Sequence, residues 1–257
     1  MNSLTTNSNL SKIPGITIAF WIMKICATTL GETAGDLLSM TLNVGYAISS
    51  LILISFFVVT LIIQLSTKKY HPIIYWAVIL STSTAGTTMS DYMDRTLGLG
   101  YALGSTILVS LLIITLTIWR LVEKSLTVTD IKSFRGEMFY WIAILFSNTL
   151  GTALGDFLAD NSGLGFSGGA ILIGGLLGII VLVYYYTKVS HVILFWLAFI
   201  LTRPFGATFG DLLTKTHEKG GLNFGTIGSS AILFGILVIL IIIAIRKIAI
   251  ETKKAQL

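Results

Sequence analysis

The sequence predicts an all-α membrane protein: a polytopic bundle of eight transmembrane helices, made of four tandem helical-hairpin repeats in parallel orientation. Three observations predict it. Apolar residues make up 54% of the 257 and charged residues only 11%, against about 25% charged in soluble proteins. The apolar residues gather into segments of roughly 20, the length a helix needs to cross a hydrocarbon layer about 30 Å thick. Tryptophans recur four times in a fixed relation to a later aspartate.

Eight apolar segments are expected to span, near 15–36, 45–65, 72–92, 99–119, 138–157, 166–186, 190–211 and 225–245. They are continuous runs without the ten-residue alternation of barrel strands, so helices must satisfy the backbone within the bilayer. The polar stretch Met1 to Lys12 lacks the order of a cleaved signal, and the first apolar run reads as a retained helix. The expected organisation is a cytoplasmic tail over 1–14, repeats one and two over 15–119, and a cytoplasmic linker over 120–137. Repeats three and four follow over 138–247, with a cytoplasmic tail over 248–257. Cys26, the single cysteine, lies inside the first span and reads as a packing residue.

Basic residues set the expected orientation. Of 17 lysines and arginines, twelve fall on one side: Lys12, Lys68, Lys69, Arg120, Lys124, Lys132, Arg135, Lys188, Arg246, Lys247, Lys253 and Lys254. The opposite loops hold Arg95, Lys215 and Lys219, while Lys24 and Arg203 lie inside spans. The positive-inside rule then places both termini in the cytoplasm of a bacterial inner membrane. The net charge of +5 reports topology and contact with anionic lipid, and no nucleic-acid partner is expected. Most acidic residues sort to the outer side, which predicts a negative mouth that concentrates cations.

The repeat is the strongest signal. Trp21, Trp76, Trp141 and Trp196 are each followed ten residues later by Gly31, Gly86, Gly151 and Gly206, and fifteen residues later by Asp36, Asp91, Asp156 and Asp211. Gly35, Ser90, Gly155 and Gly210 precede the aspartates. The second helix of each repeat opens on Gly45, Gly100, Gly165 or Gly225, with Ser49, Gly104, Gly169 or Ser229 four residues on. Tryptophan spacings of 55, 65 and 55 residues divide the chain into two halves of two repeats. Two spans per repeat give every unit the same orientation, with a pseudo-symmetry axis along the membrane normal.

Small residues four apart let helix backbones approach closely in lipid. Tryptophans near the helix starts read as interfacial anchors. An intramembrane carboxylate is costly and faces a bundle interior, a water-filled cavity or a partner. Counting back by fours along one helix face gives a polar stripe on each odd helix: Thr28 and Glu32 before Asp36, Ser83 and Thr87 before Asp91, Asn148 and Thr152 before Asp156, and Arg203 and Ala207 before Asp211. Two readings of the aspartates stand. Each caps its own turn in the headgroup region, or Asp36, Asp91, Asp156, Asp211 and Glu32 form a set of hard oxygen ligands suited to Mg²⁺, Ca²⁺ or Mn²⁺. In the second, Thr28, Ser83, Thr87, Asn148, Thr152 and Arg203 line a transport path.

Arg203, beside Pro204, needs a partner, and Glu32 or an aspartate across the bundle is expected to supply it. Lys24 reads as snorkelling to the cytoplasmic interface, and Asp94, Asp160, Arg95 and Lys215 as solvated loop residues. His71, His191 and His217 fall in loops or at span ends, where they build no zinc, copper or heme site.

On these Trp and Gly-Asp positions, the chain resembles, over about residues 15–247, a bacterial integral membrane protein family of four tandem repeats, which implies the fold and repeat count and names no substrate. Gly31-Glu32-Thr33-Ala34-Gly35-Asp36-Leu37 is also similar to the Glu-x-Gly-Asp motif of manganese and calcium exchangers, with Glu four residues before Asp instead of three and no basic residue after it. The expected function is a secondary transporter or exchanger of a cation, of the divalent kind that oxygen ligands suit, driven by an ion gradient because no nucleotide-binding loop is present. A passive cation or proton channel and a non-transporting scaffold or sensor are the alternatives. No enzyme chemistry and no cofactor beyond a bound divalent cation is expected.

Overall fold

The computed structural model describes residues 12–131 and 133–255. The N-terminal tail ahead of Lys12, Lys132 and the last two residues of the C-terminal tail lie outside the described residues. Among the described residues there are eight long helices: α1 (Ile18–Asp36), α2 (Tyr46–Ser66), α3 (Pro72–Asp91), α4 (Gly100–Glu123), α5 (Phe134–Asp156), α6 (Gly165–Tyr186), α7 (His191–Thr214) and α8 (Thr226–Ala255). Local chemistry sets the starts. The Thr17 hydroxyl caps α1 by accepting from the Phe20 amide, Ser133 caps α5 through Gly136, and Pro72 opens α3 where its missing N–H costs nothing. Helices α1, α3 and α5 each run into one π-helical turn. Gly45, Gly100, Gly165 and Gly225, at the heads of the even helices, all have φ between 65° and 81°, which a side chain would disfavour.

Among the described residues six helices are long and apolar enough to cross a membrane: α2, α4, α5 with its π turn, α6, α7 and α8. Helices α1 and α3 have comparable length but carry more polar residues, and the fold buries them. Lys24, Glu32 and Asp36 on α1, and seven serines and threonines on α3, all lie inside the protein.

The four odd helices form a closed inner ring, with α1 against α3, α3 against α5, α5 against α7, and α7 back against α1. Each even helix lies outside the ring on the odd helix of the next repeat: α2 on α3, α4 on α5, α6 on α7 and α8 on α1. This refines the expected helical-hairpin repeats. The two helices of one repeat meet little or not at all, and the repeats interlock around the circle, the last closing on the first. The ring uses one contact four times. A Cβ on Gly31 would stand 2.3 Å from that of Ser83, one on Gly86 would stand 3.0 Å from the Asn148 backbone, one on Gly151 2.3 Å from Arg203 Cγ, and one on Gly206 2.6 Å from Thr28 Oγ1. The glycine ten residues after each tryptophan thus receives the residue seven after the next tryptophan.

The tryptophans are not interfacial anchors. Trp76, Trp141 and Trp196 are buried, and Trp21 is half-buried. The residue before each is also aromatic, and that ring meets the next repeat's tryptophan: Phe20–Trp76 at 5.7 Å, Tyr75–Trp141 at 5.5 Å, Tyr140–Trp196 at 6.4 Å and Phe195–Trp21 at 5.8 Å between centroids. These separations suit edge-on and tilted aromatic pairs, and they close a collar across one end of the ring. Outside it, Glu137 is buried against Lys12 at 2.7 Å and Gln64. Within the collar the hydroxyls of Tyr75 and Tyr140 share a 2.6 Å hydrogen bond. Tyr75→Phe strands the Tyr140 hydroxyl and is expected to cost about 1–3 kcal/mol, while Tyr75→Phe with Tyr140→Phe recovers most of it. Equal losses of thermal stability in the single and double variants would contradict this.

Candidate functional site

The polar stripes of all four odd helices turn into the ring. Thr28, Ser83, Thr87, Asn148, Thr152 and Arg203 are fully buried, and the four aspartates and Glu32 are 2% to 4% exposed. The headgroup-capping reading of the aspartates therefore does not hold. The five carboxylates do not form one symmetric set. Glu32, Asp36 and Asp211, from α1 and α7, each place an oxygen within 4.8 Å of the other two. Asp91 and Asp156, on α3 and α5, face Arg95 instead.

The division comes from the residue nineteen after each tryptophan, which is Met40, Arg95, Asp160 and Lys215 in turn. Arg95, in the π turn after α3, reaches back to Asp91 (Nε–Oδ1, 2.9 Å) and across to Asp156 (Nη2–Oδ2, 3.0 Å). Lys215, just past α7, reaches back to Asp211 (Nζ–Oδ1, 3.0 Å) and across to Asp36 (Nζ–Oδ2, 2.6 Å). The two contacts back along the helix are ionic, without a well-aligned hydrogen bond at Asp91 Oδ1 or Asp211 Oδ1. Repeats two and four thus each supply a cation that ties their own aspartate to that of the next repeat. Arg95 and Lys215 are partly screened caps on the acid groups, which corrects their reading as solvated loop residues. Burial disfavours the Lys215 ammonium, but Asp211 and Asp36 outweigh that and hold its pKa above the usual lysine range. Asp94 is buried too, with its carboxylate accepting from Ser90. Asp160 stays exposed and accepts from the Tyr101 hydroxyl.

Deeper in the ring, Arg203 finds the partner expected for it. Its Nη2 lies 3.0 Å from Glu32 Oε2, and 2.6 Å from both Thr87 Oγ1 and Thr152 Oγ1. One guanidinium therefore ties α7 to the other three inner helices. Glu32 belongs both to this pair and to the acid trio. The threonines hold the surroundings: Thr87 also donates to the Gly31 carbonyl, and Thr28 to that of Thr202. Helix α7 continues through Pro204 without interruption.

One turn nearer the collar is Lys24. It does not snorkel: it is fully buried, 3.4 Å from Asn148 Oδ1 and 3.9 Å from the centre of the Phe199 ring. Its equivalents in the other repeats are Ile79, Ile144 and Phe199, all fully buried. Cys26 is the packing residue expected, its thiol 3.4 Å from the Leu233 carbonyl on α8.

A family model described as a Repeat of Unknown Function (DUF347) matches the chain four times, over residues 19–70, 74–125, 139–190 and 194–247. The chain belongs to the DUF347 family. Each DUF347 match begins two residues before a repeat tryptophan and holds one inner and one outer helix. No curated protein and no solved structure matches the chain. The likeness to manganese and calcium exchangers therefore rests on Glu32, Gly35 and Asp36 alone. The same repeat alignment carries further signals: an aromatic always precedes the tryptophan, position nineteen is basic in repeats two and four, and Lys24 stands where every other DUF347 repeat of this chain has a core residue.

Proposed function

We propose that this protein is a secondary transporter or exchanger of a cation, divalent by the chemistry of its ligands, in the bacterial inner membrane. All eight helices cross the bilayer in this reading, with the collar toward the cytoplasm and the aspartates toward the outside. One observation carries it: Glu32, Asp36 and Asp211 converge in a buried group and the Lys215 ammonium is clamped onto two of them. Oxygen-only ligands suit Mg²⁺, Ca²⁺ or Mn²⁺. Lys215 acts as a tethered stand-in that the substrate displaces. Its side chain is 19% exposed and extends from beyond the helix end, so it can swing outward without disturbing the ring. Arg95 holds Asp91 and Asp156 through two nitrogens and serves as a fixed brace. The aromatic collar favours a carrier over an open channel, because ions passing along the ring axis must wait for it to part.

Calorimetric titration of the purified protein with Mn²⁺, Ca²⁺ and Mg²⁺ tests this. Asp36→Asn and Asp211→Asn are expected to weaken binding about tenfold or more, the worth of one lost charged contact. Asp91→Asn and Asp156→Asn should change it less, and Lys215→Met should strengthen it by removing the competitor. Equal binding by wild type, Asp36→Asn and Asp211→Asn would defeat the proposal, as would cation uptake into proteoliposomes that ignores these substitutions.

A further inference from the structure

The middle of the ring holds two buried basic side chains, Lys24 and Arg203, and one carboxylate, Glu32. Arg203 has Glu32, but among the described residues no carboxylate lies against Lys24, which meets a neutral amide oxygen at 3.4 Å. Removing an ammonium from water costs several kcal/mol unless a counter-charge repays it, and here the residue also feels the repulsion of Arg203. The three equivalent positions show what packing alone asks for, since Ile79, Ile144 and Phe199 fill them. A lysine at this level is a departure that packing does not explain.

Two further observations point to what it serves. Along one face of α5, Asn148 meets Lys24 and Thr152 meets Arg203. Residues four apart on a helix lie about 6 Å apart along its axis, so the two basic side chains meet α5 one turn apart. The Asn148 amide is fixed with its oxygen toward Lys24, because its nitrogen donates to Thr82 at 2.9 Å. Around the same level several buried polar atoms lack a partner among the described residues. Arg203 Nε and Nη1 and the Ser83 hydroxyl have no hydrogen-bond partner, although Arg203 Nη2 lies 3.5 Å from the Ser83 carbonyl.

We propose that Lys24 and Arg203, with the Ser83 hydroxyl, form a binding site for a small monovalent inorganic anion of the halide class, held between the two cations in the ring interior. An acceptor at roughly hydrogen-bond distance from both heads fits a gap of about one helical turn. Its single negative charge balances the ammonium that has no carboxylate. The proximity of Glu32 disfavours a more highly charged anion, and the tight ring disfavours a large one. This site is separate from the acid trio at the aspartate end and does not depend on the cation reading.

The test uses the purified full chain in detergent, in sodium bromide against sodium gluconate at equal ionic strength. Wild type is expected to bind bromide saturably at one site per chain and to unfold several degrees higher in bromide. Lys24→Met, which restores an apolar residue where the other repeats have one, should fold in both salts, lose the thermal difference and bind bromide about tenfold or more weakly, as expected for one hydrogen bond to a charged group. Lys24→Arg should keep both properties. Absence of saturable bromide binding by wild type, or bromide binding by Lys24→Met equal to wild type, would overturn the proposal.

Discussion

Gly206→Val is expected to abolish folding of the protein in the membrane, whereas Gly175→Val is expected to leave it folded. Both are glycine-to-valine changes in apolar helices, so hydropathy and helix propensity do not separate them. Their surroundings do. A Cβ on Gly206 would stand 2.6 Å from Thr28 Oγ1 and 2.8 Å from the Thr28 carbonyl carbon, and backbone cannot rotate aside. Nothing lies within 4 Å of a Cβ on Gly175. Overpacking a close-packed interior costs about 1–3 kcal/mol where side chains can adjust, and more where whole helices must part. Because the α7–α1 contact closes the ring, separating it also disturbs the neighbouring contacts. Gly206→Ala should already lower the thermal midpoint, and Gly31→Val should reproduce the effect of Gly206→Val at the α1–α3 contact. Normal yield and a wild-type gel-filtration profile for Gly206→Val would refute this ring geometry.

Glu32→Gln is expected to destabilise the protein by about 3–5 kcal/mol, the usual result of stripping one partner from a buried ion pair. Arg203 is fully buried and Glu32 is its one salt-bridge partner among the described residues, so the amide would leave a guanidinium among threonine hydroxyls and backbone. The second half of the prediction concerns rescue. Glu32→Gln combined with Arg203→Met removes both charges and is expected to recover most of the loss, since a well-packed neutral replacement often equals or exceeds a buried pair in stability. The double variant should still fail to bind cations, because Glu32 also belongs to the trio with Asp36 and Asp211. Reversible unfolding of the four forms in detergent gives the coupling energy. Additive losses in the double variant would show that the pair is not the source of the effect.

The inner-ring residues were readable from the chain because the repeat writes them four times. A glycine at one offset and a polar residue at another, both recurring, imply a helix with two special faces, and the glycine faces lie where backbones meet. The expectation of a carboxylate partner for Arg203, either Glu32 or an aspartate across the bundle, follows from the cost of an isolated charge in hydrocarbon. Lys24 and the tryptophans depart from the sequence expectation for a shared reason. A lysine or tryptophan one or two turns from a helix start suits the membrane interface on any isolated helix, and only the ring, which packs that turn against neighbours on both sides, makes it interior.

What the sequence by itself determined is the class, the four repeats and the polar faces, since hydropathy and periodicity are properties of each segment alone. Tertiary structure alone decided the partners. That each outer helix lies on the next repeat, that repeat four closes on repeat one, and that Lys215 joins Asp211 to Asp36 while Arg95 joins Asp91 to Asp156 depend on distances between helices far apart in the chain. A repeat written four times is symmetric in sequence and leaves the closing contact and the direction of each cation undefined. Packing the four inner helices into a ring fixes both, because in a ring the last repeat has the first as its neighbour.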